Sequence, residues 1–229
     1  RINPYQIIIL SIKQVKYFQR TLKFYIMKYV AFVKETIHMS EEFDLSQFEV
    51  SMIIRQTTMQ DIEPMLAMQR LCFPGMDPWK VDQLRSHLTV FPEGQLVAEL
   101  DGHIIGSCSS LIINFDEYDD RHSWSDVTDD GYITNHNPEG YNMYGIEVMV
   151  HPEYRRMKVG QRLYEARKEI ARQFNLKSII IGGRIPNYHK HSEEMSPREY
   201  VDAVSRHKIY DPVLTFQIMN GFTLMRINP

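Results

Sequence analysis

From Ser51 to the end of the chain, apolar residues recur at two spacings, and the switch between them marks the elements. A two-residue period or a short unbroken apolar run predicts a strand, whereas three- and four-residue steps predict a helix. SMIIRQ (51–56) is a short strand, after which Thr57 or Thr58 can cap a helix with Asp61 and Glu63 in its first turn. Pro74-Gly75 and Asp77-Pro78 interrupt the chain before a second helix, WKVDQLRSHLTV (79–90). QLVAEL (95–100) and HIIGSCSSLII (103–113), joined by Asp101-Gly102, form the clearest hairpin. Residues 114–142 are polar and irregular, and MYGIEVMV (143–150) then resumes as a strand. Val159, Leu163, Ala166, Ile170 and Phe174 recur at helical steps and predict a helix over 159–174. KSIIIGG (177–183) is a buried strand, and a helix follows near 197–208 inside a longer insertion. Asp211-Pro212 starts a last short helix, Asn220-Gly221 ends it, and FTLMRI (222–227) is the final strand.

Helices that alternate with strands after an antiparallel hairpin predict a mixed α/β sheet. The 229 residues are enough for one sizeable core, and the 43% hydrophobic and 24% charged fractions are those of an ordinary globular chain. No apolar run reaches the about 20 residues that span a membrane. Cys72 and Cys108 stand far apart in no metal or redox spacing, so they read as free thiols of a reducing compartment, the cytoplasm. A net charge of −3 argues against general nucleic-acid binding. Neither GxGxxG nor GxxxxGK[ST] occurs, which leaves a Rossmann or P-loop nucleotide site without support.

Charge changes the picture at the start of the chain. Residues 1–38 hold seven Lys/Arg against one acid, Glu35, and they precede a Met39-Ser40-Glu41-Glu42 that reads like a natural start. A basic amphipathic segment can bind membranes or acidic partners. The reading favoured is an extension foreign to the domain, kept out of the fold, with the domain proper at 39–229 and its core at 51–229. RINP both opens and closes the chain, and one four-residue match makes no repeat.

The candidate chemistry lies between the 143–150 strand and the 159–174 helix, in HPEYRRMKVGQ. The first N–H groups of a helix have no partner within it and sit at the positive end of its dipole, where a pyrophosphate fits. Arg155 and Arg156 add guanidinium donors, and Gly160 lets backbone come close to a ligand. The residues alone equally support a basic, solvated helix start.

EVMVHPEYRRMKVGQRLYEARKEI resembles the acetyl-CoA-binding segment of GNAT-superfamily N-acetyltransferases. Their pattern is a strand, Val-x-Pro, and Arg/Gln-x-x-Gly-x-Gly/Ala opening a helix; here it reads Val150-His151-Pro152 and Arg155 to Gly160, with Lys158 at the first glycine. Element order over roughly 51–229 matches as well, including Asn220-Gly221-Phe222. The resemblance implies a twisted, mostly antiparallel central sheet flanked by helices, acetyl-CoA as co-substrate, no metal, and direct acetyl transfer to an amine. It implies that backbone at Val148, Met149 and Val150 pairs with the pantetheine arm. The N–H groups of Arg156, Met157, Lys158, Val159, Gly160 and Gln161, with Arg155 beside them, would hold the pyrophosphate. Glu147 is the candidate base next to the thioester, or else an outward-facing strand residue. Many relatives carry a tyrosine acid four residues before the Gly-Phe pair. Gln217 stands there and cannot donate as an acid, so Tyr210, Tyr188 or a water is left for that role.

IIIGGRIPNYHKH and SPREYVDAVSRHKIYDPVLTFQIMNGF are similar to acetyltransferase modules joined to a carbon–nitrogen hydrolase domain in some bacterial proteins. That likeness implies a linked hydrolase absent from this chain, a sheet left incomplete at Pro229, and an amine of a small molecule or peptide as acceptor. Self-association is left open. The seven acids between Asp116 and Asp130 read as an acidic lip for a cationic amine or as a solvated loop. His189-Lys190-His191 has no second ligand pair and is discounted as a metal site. Trp79 and Trp124 are pocket or core candidates.

Overall fold

Among the described residues, alternation along the strands resolves into a seven-stranded sheet with helices on both faces. The computed structural model describes residues 7–13, 52–119 and 122–227. Its strands are β1 (Ile7–Lys13), β2 (Met52–Gln56), β3 (Gln95–Leu100), β4 (His103–Ile113), β5 (Asn142–Val150), β6 (Ser178–Arg184) and β7 (Thr223–Ile227). The helices are α1 (Ile62–Cys72), α2 (Val81–Val90), α3 (Trp124–Thr128), α4 (Val159–Gln173), α5 (Pro197–Ser205) and α6 (Leu214–Met219). Sheet order is β2-β3-β4-β5-β6-β1-β7, with every pairing antiparallel except β5 with β6.

Local chemistry fixes most of these elements where the sequence places them. Asp101 and Gly102 both have positive φ, 49° and 78°, the geometry of a two-residue hairpin turn between β3 and β4. Thr58 donates from its N–H and its hydroxyl to Asp61, which also pairs with Arg55 at 2.7 Å, and this cluster anchors the entry to α1. Ser196 and Glu199 close a capping box on α5. Asp211 is fully buried, and its carboxylate accepts from the N–H groups of Val213 and Leu214, as a cap for α6 requires.

The N-terminal reading is corrected for one segment. Residues 1–38 are set apart by their basic composition, yet Ile7–Lys13 lies inside the sheet, antiparallel to β6 on one side and β7 on the other. Ile8, Ile9 and Leu10 are buried. The physical reason is local: IIILSIK is a run rich in β-branched isoleucine, of the kind that fills a central strand, and averaging charge over 38 residues hides it. The rest of that extension, and residues 39–51, lie outside the described residues.

Two apolar layers flank the sheet. Ile62, Met65, Leu66 and Leu84 from α1 and α2 pack with Val97 and Met149 on one face. Val159, Leu163, Ile170 and Ala171 of α4 join Leu96, Ala98, Cys108 and the β6 isoleucines on the other. The helix predicted for 159–174 is thus α4, with its apolar stripe against β4 and β5.

Candidate active site

β5 and β6 are paired only over Asn142–Gly145 and Ser178–Ile181. Beyond that, β6 continues alongside β1 while Ile146–Val150 of β5 stays with β4, so the sheet opens between the two strands. A β-bulge accompanies the opening: Ser109 pairs with Glu147 and Ser110 with Gly145, which leaves Ile146 as the extra residue. Ile146 and Val148 then face the α4 layer, and Met149 the α1 layer. Glu147 points to the α1 and α2 side, where Trp79 Nε1 donates to Oε2 at 3.0 Å and Ser107 Oγ to Oε1 at 3.0 Å.

Those two donors account for the role of Trp79, which the sequence left between pocket and core. Trp79 is held in turn by its neighbours: its N–H donates to Gln69 Oε1, and its ring meets His87 and Trp124 at centroid separations of 5.2 and 5.4 Å. Burial raises the Glu147 carboxyl above the ordinary carboxylate range, and the bonds from Trp79 and Ser107 and the positive charge of Arg167 pull against it. A carboxyl so placed accepts a proton nearer to neutral pH than a solvated glutamate does.

The backbone beside Glu147 is turned toward the opening in alternate residues. His151 N–H donates to Ile105 across β4, so strand alternation points the peptide groups of Met149 at β4 and those of Val148 and Val150 outward. Val150 C=O accepts from Cys72 Sγ at 3.2 Å and from Arg155 Nε at 3.4 Å, which ties the following loop back to the strand.

That loop leads straight into α4. The first i to i−4 bond of α4 runs from Arg162 N–H to Lys158 C=O, so the N–H groups of Val159, Gly160 and Gln161 are not used by the helix ladder. Its first turn carries no acidic residue, and Arg155, Arg156, Lys158 and Arg162 all lie exposed around it. Arg156 and Lys158 have positive φ, 70° and 61°. Lys158 therefore occupies a left-handed position that favours glycine, and it caps the helix there. Val159 is buried against Gly106, Met157 and Gln161 are exposed, and a Cβ on Gly160 would lie 2.9 Å from Phe216 Cζ. Close helix packing by α6 thus adds a second reason for glycine at 160.

The proposed acids lie elsewhere. Tyr210 is 69% exposed on the loop before α6 and is not among the hydrogen-bonding or charged neighbours of Glu147. Tyr188 is buried with its hydroxyl donating to Met195 C=O. Gln217 is buried beside the Tyr164 hydroxyl, whose own ionisation is pushed up by burial. Arg167 escaped the sequence reading altogether, although a cation four residues after Leu163 and three before Ile170 stands squarely on the apolar stripe of α4. Its guanidinium donates to Ser110 Oγ, Ser109 C=O and Glu147 C=O at 3.0, 3.1 and 2.6 Å. Among the described residues no cluster of three His, Cys, Asp or Glu could hold a metal ion, and no helix is long and apolar enough to cross a membrane.

A split between two central strands that feeds a basic helix start, with a carboxylate at the split, is the site of an acyl-CoA transferase fold. The model of the acetyltransferase (GNAT) family matches residues 62–192, and the chain belongs to that family. Acetyl-CoA is the acyl donor that this family uses. Two proteins of Bacillus subtilis (strain 168) are similar to it. One, "Probable hydrolase YhcX", is 71% identical over 191 residues, which are 83% of this chain and 37% of that relative's length. The other, "Uncharacterized N-acetyltransferase YkwB", is 38% identical over 188 residues, 80% of this chain and 83% of the relative. Among solved structures, the loading GNATL domain of CurA from Lyngbya majuscula superposes with a TM-score of 0.66 at 20% identity, covering 78% of this chain and 88% of that one. The GphF GNAT-like decarboxylase, solved with isobutyryl-CoA, has a TM-score of 0.57 at 18% identity over 74% of this chain and 85% of its own. At such identities both likenesses concern the fold alone.

Proposed function

We propose that this protein transfers an acetyl group from acetyl-CoA directly to the amine of a small molecule or peptide, with Glu147 as the base. The observation that carries the reading is the Glu147 carboxyl, partly buried at the strand opening, held by Trp79 and Ser107, and raised by burial toward neutral pH. An amine is protonated at neutral pH and attacks only after losing that proton, and a carboxylate within reach of it suits the task. The outward-facing peptide groups of Val148 and Val150 would take the amide arm of the donor. The free N–H groups of Val159, Gly160 and Gln161, with Arg155, Arg156, Lys158 and Arg162 around them, would hold its pyrophosphate. The name of the 38% identical relative is in keeping with transfer to nitrogen. The 71% identical relative is called a probable hydrolase and is matched over 37% of its length, which supports a hydrolase unit as the linked partner of such a module.

A second reading, an acyl-CoA-binding module without turnover, is favoured by Gln217 at the position where the resemblance expects an acid. Thiol release from acetyl-CoA against a panel of amines, beside calorimetry of acetyl-CoA binding, decides between them. Amine-dependent release supports transfer. Binding with no release against any amine leaves the reading without turnover, and absence of binding removes both.

A further inference from the structure

Among the described residues Arg167 is one of the largest fully buried side chains, 1% exposed, and it forms no ion pair. A guanidinium taken out of water at such cost must be held by good acceptors or by a nearby charge. It has both. Ser110 Oγ and the carbonyls of Ser109 and Glu147 accept its protons, all three at the bulge where β4 and β5 lose register. The notch it fills is made by small residues: a Cβ on Gly145 would lie 2.8 Å from Nη1 and 3.0 Å from Cζ. The bulge reverses the faces of β5, so Gly145 lies under the guanidinium while the Glu147 side chain emerges on the other face. The shortest of the three bonds, 2.6 Å, is to the carbonyl of Glu147 itself.

We propose that Arg167 is a positioning residue for Glu147: its bonds to Ser110, Ser109 and Glu147 pin the bulged backbone that aims the carboxylate from the opposite face of the strand. The charge that faces Glu147 comes from few groups. From α4 there is Arg167, from α1 Cys72, from β4 Cys108, and the neutral donors Trp79 and Ser107 complete the surroundings. Burial keeps both thiols protonated, so Arg167 is the cation that opposes desolvation of the carboxyl. The proposal rests on Glu147 as the base, but its first readout does not.

The test follows the Glu147 carboxyl carbon through a pH titration by NMR, in the wild type and in Arg167→Met, Arg167→Lys and Gly145→Ala. Arg167→Met is expected to move the Glu147 midpoint upward, and Arg167→Lys to restore part of the shift. Gly145→Ala keeps the charge but crowds Nη1, and is expected to give a smaller upward shift. In acetyl transfer, the acidic limb of kcat/KM should move up in parallel with the midpoint, and kcat at pH 7 should fall on the order of 10- to 100-fold. An unmoved Glu147 midpoint in these variants overturns the proposal. Should Arg167→Met fail to fold, an unmoved midpoint in both Arg167→Lys and Gly145→Ala overturns it equally. Midpoints that shift while Glu147→Gln keeps full transfer would instead remove Glu147 as the base and leave the Arg167 coupling standing.

Discussion

Glu147 and Lys158 carry opposite lessons at the scale of single residues. Glu147 is an acid on a central strand, and its two donors come from residues 68 and 40 positions away in sequence. Glu147→Gln keeps the hydrogen-bond acceptor but cannot take a proton, so kcat is expected to fall by roughly 10²- to 10⁴-fold with acetyl-CoA affinity unchanged. Steady-state kinetics beside calorimetry checks this, and a parallel loss of affinity would show that the residue serves binding. The raised carboxyl also sets a sign. Protonated Glu147 is favoured in the fold, so its contribution to stability is lost as pH rises from the ordinary glutamate value through the folded one. Lys158 departs from the family's glycine at a backbone position that favours glycine, φ 61°. Lys158→Gly removes about 1 kcal/mol of left-handed strain, partly offset by the freer unfolded chain. A rise in Tm of roughly 1–3 °C is expected. Affinity for acetyl-CoA should fall in both Lys158→Gly and Lys158→Ala because an ammonium is lost from the helix start. Equal affinity in all three proteins would mean that the ammonium takes no part.

Elements act here through their ends. α4 presents a basic N-terminus and sends Arg167 into the bulge two turns later, so under the proposed function one helix would couple donor binding to the geometry of Glu147. α2 works from the other face. His87 is 1% exposed, its Nε2 lies 2.8 Å from Gly131 C=O, and its ring meets Trp79 edge-on. Burial holds its pKa down at about 4, against 6.5 for an ordinary histidine. The unfolded chain takes up a proton at His87 that the fold refuses. Its share of stability is therefore complete above pH 6.5 and drains away as pH falls toward 4. Denaturant unfolding across that window should show falling stability in the wild type and a flatter profile in His87→Gln. Equal slopes would mean that the ring is protonated in the fold.

For the whole molecule, the decisive feature is the strand from the N-terminus. β1 separates β6 from β7, and Ile8, Ile9 and Leu10 are buried in the same apolar layer as α4 and β6. Leu10→Ala should cost about 2–5 kcal/mol, the range for emptying a fully packed core position, and equilibrium denaturation measures it. A cost near zero would mean that the sheet does not depend on β1 in solution. Removing residues 1–13 would leave two unpaired strand edges where the sheet is now continuous, and aggregation is the expected outcome.

Sequence by itself determined the elements whose causes are local. The Asp101-Gly102 hairpin, the α4 stripe, the Asp211 cap and the stop at Gly221 each depend on a few neighbouring residues, and the structure has them in place. The family was legible for the same reason, since the strand, loop and helix around Arg155 to Gly160 are contiguous. The run IIILSIK marks Ile7–Lys13 as a strand locally, but tertiary structure alone decided its place between β6 and β7, which lie some 170 to 220 positions further along the chain. It also decided that Trp79 and Ser107 hold Glu147 and that Arg167 lies beneath it. Those contacts join the segment before α2, β4, β5 and α4, and no spacing along the chain encodes which side chains meet when a sheet bulges and opens.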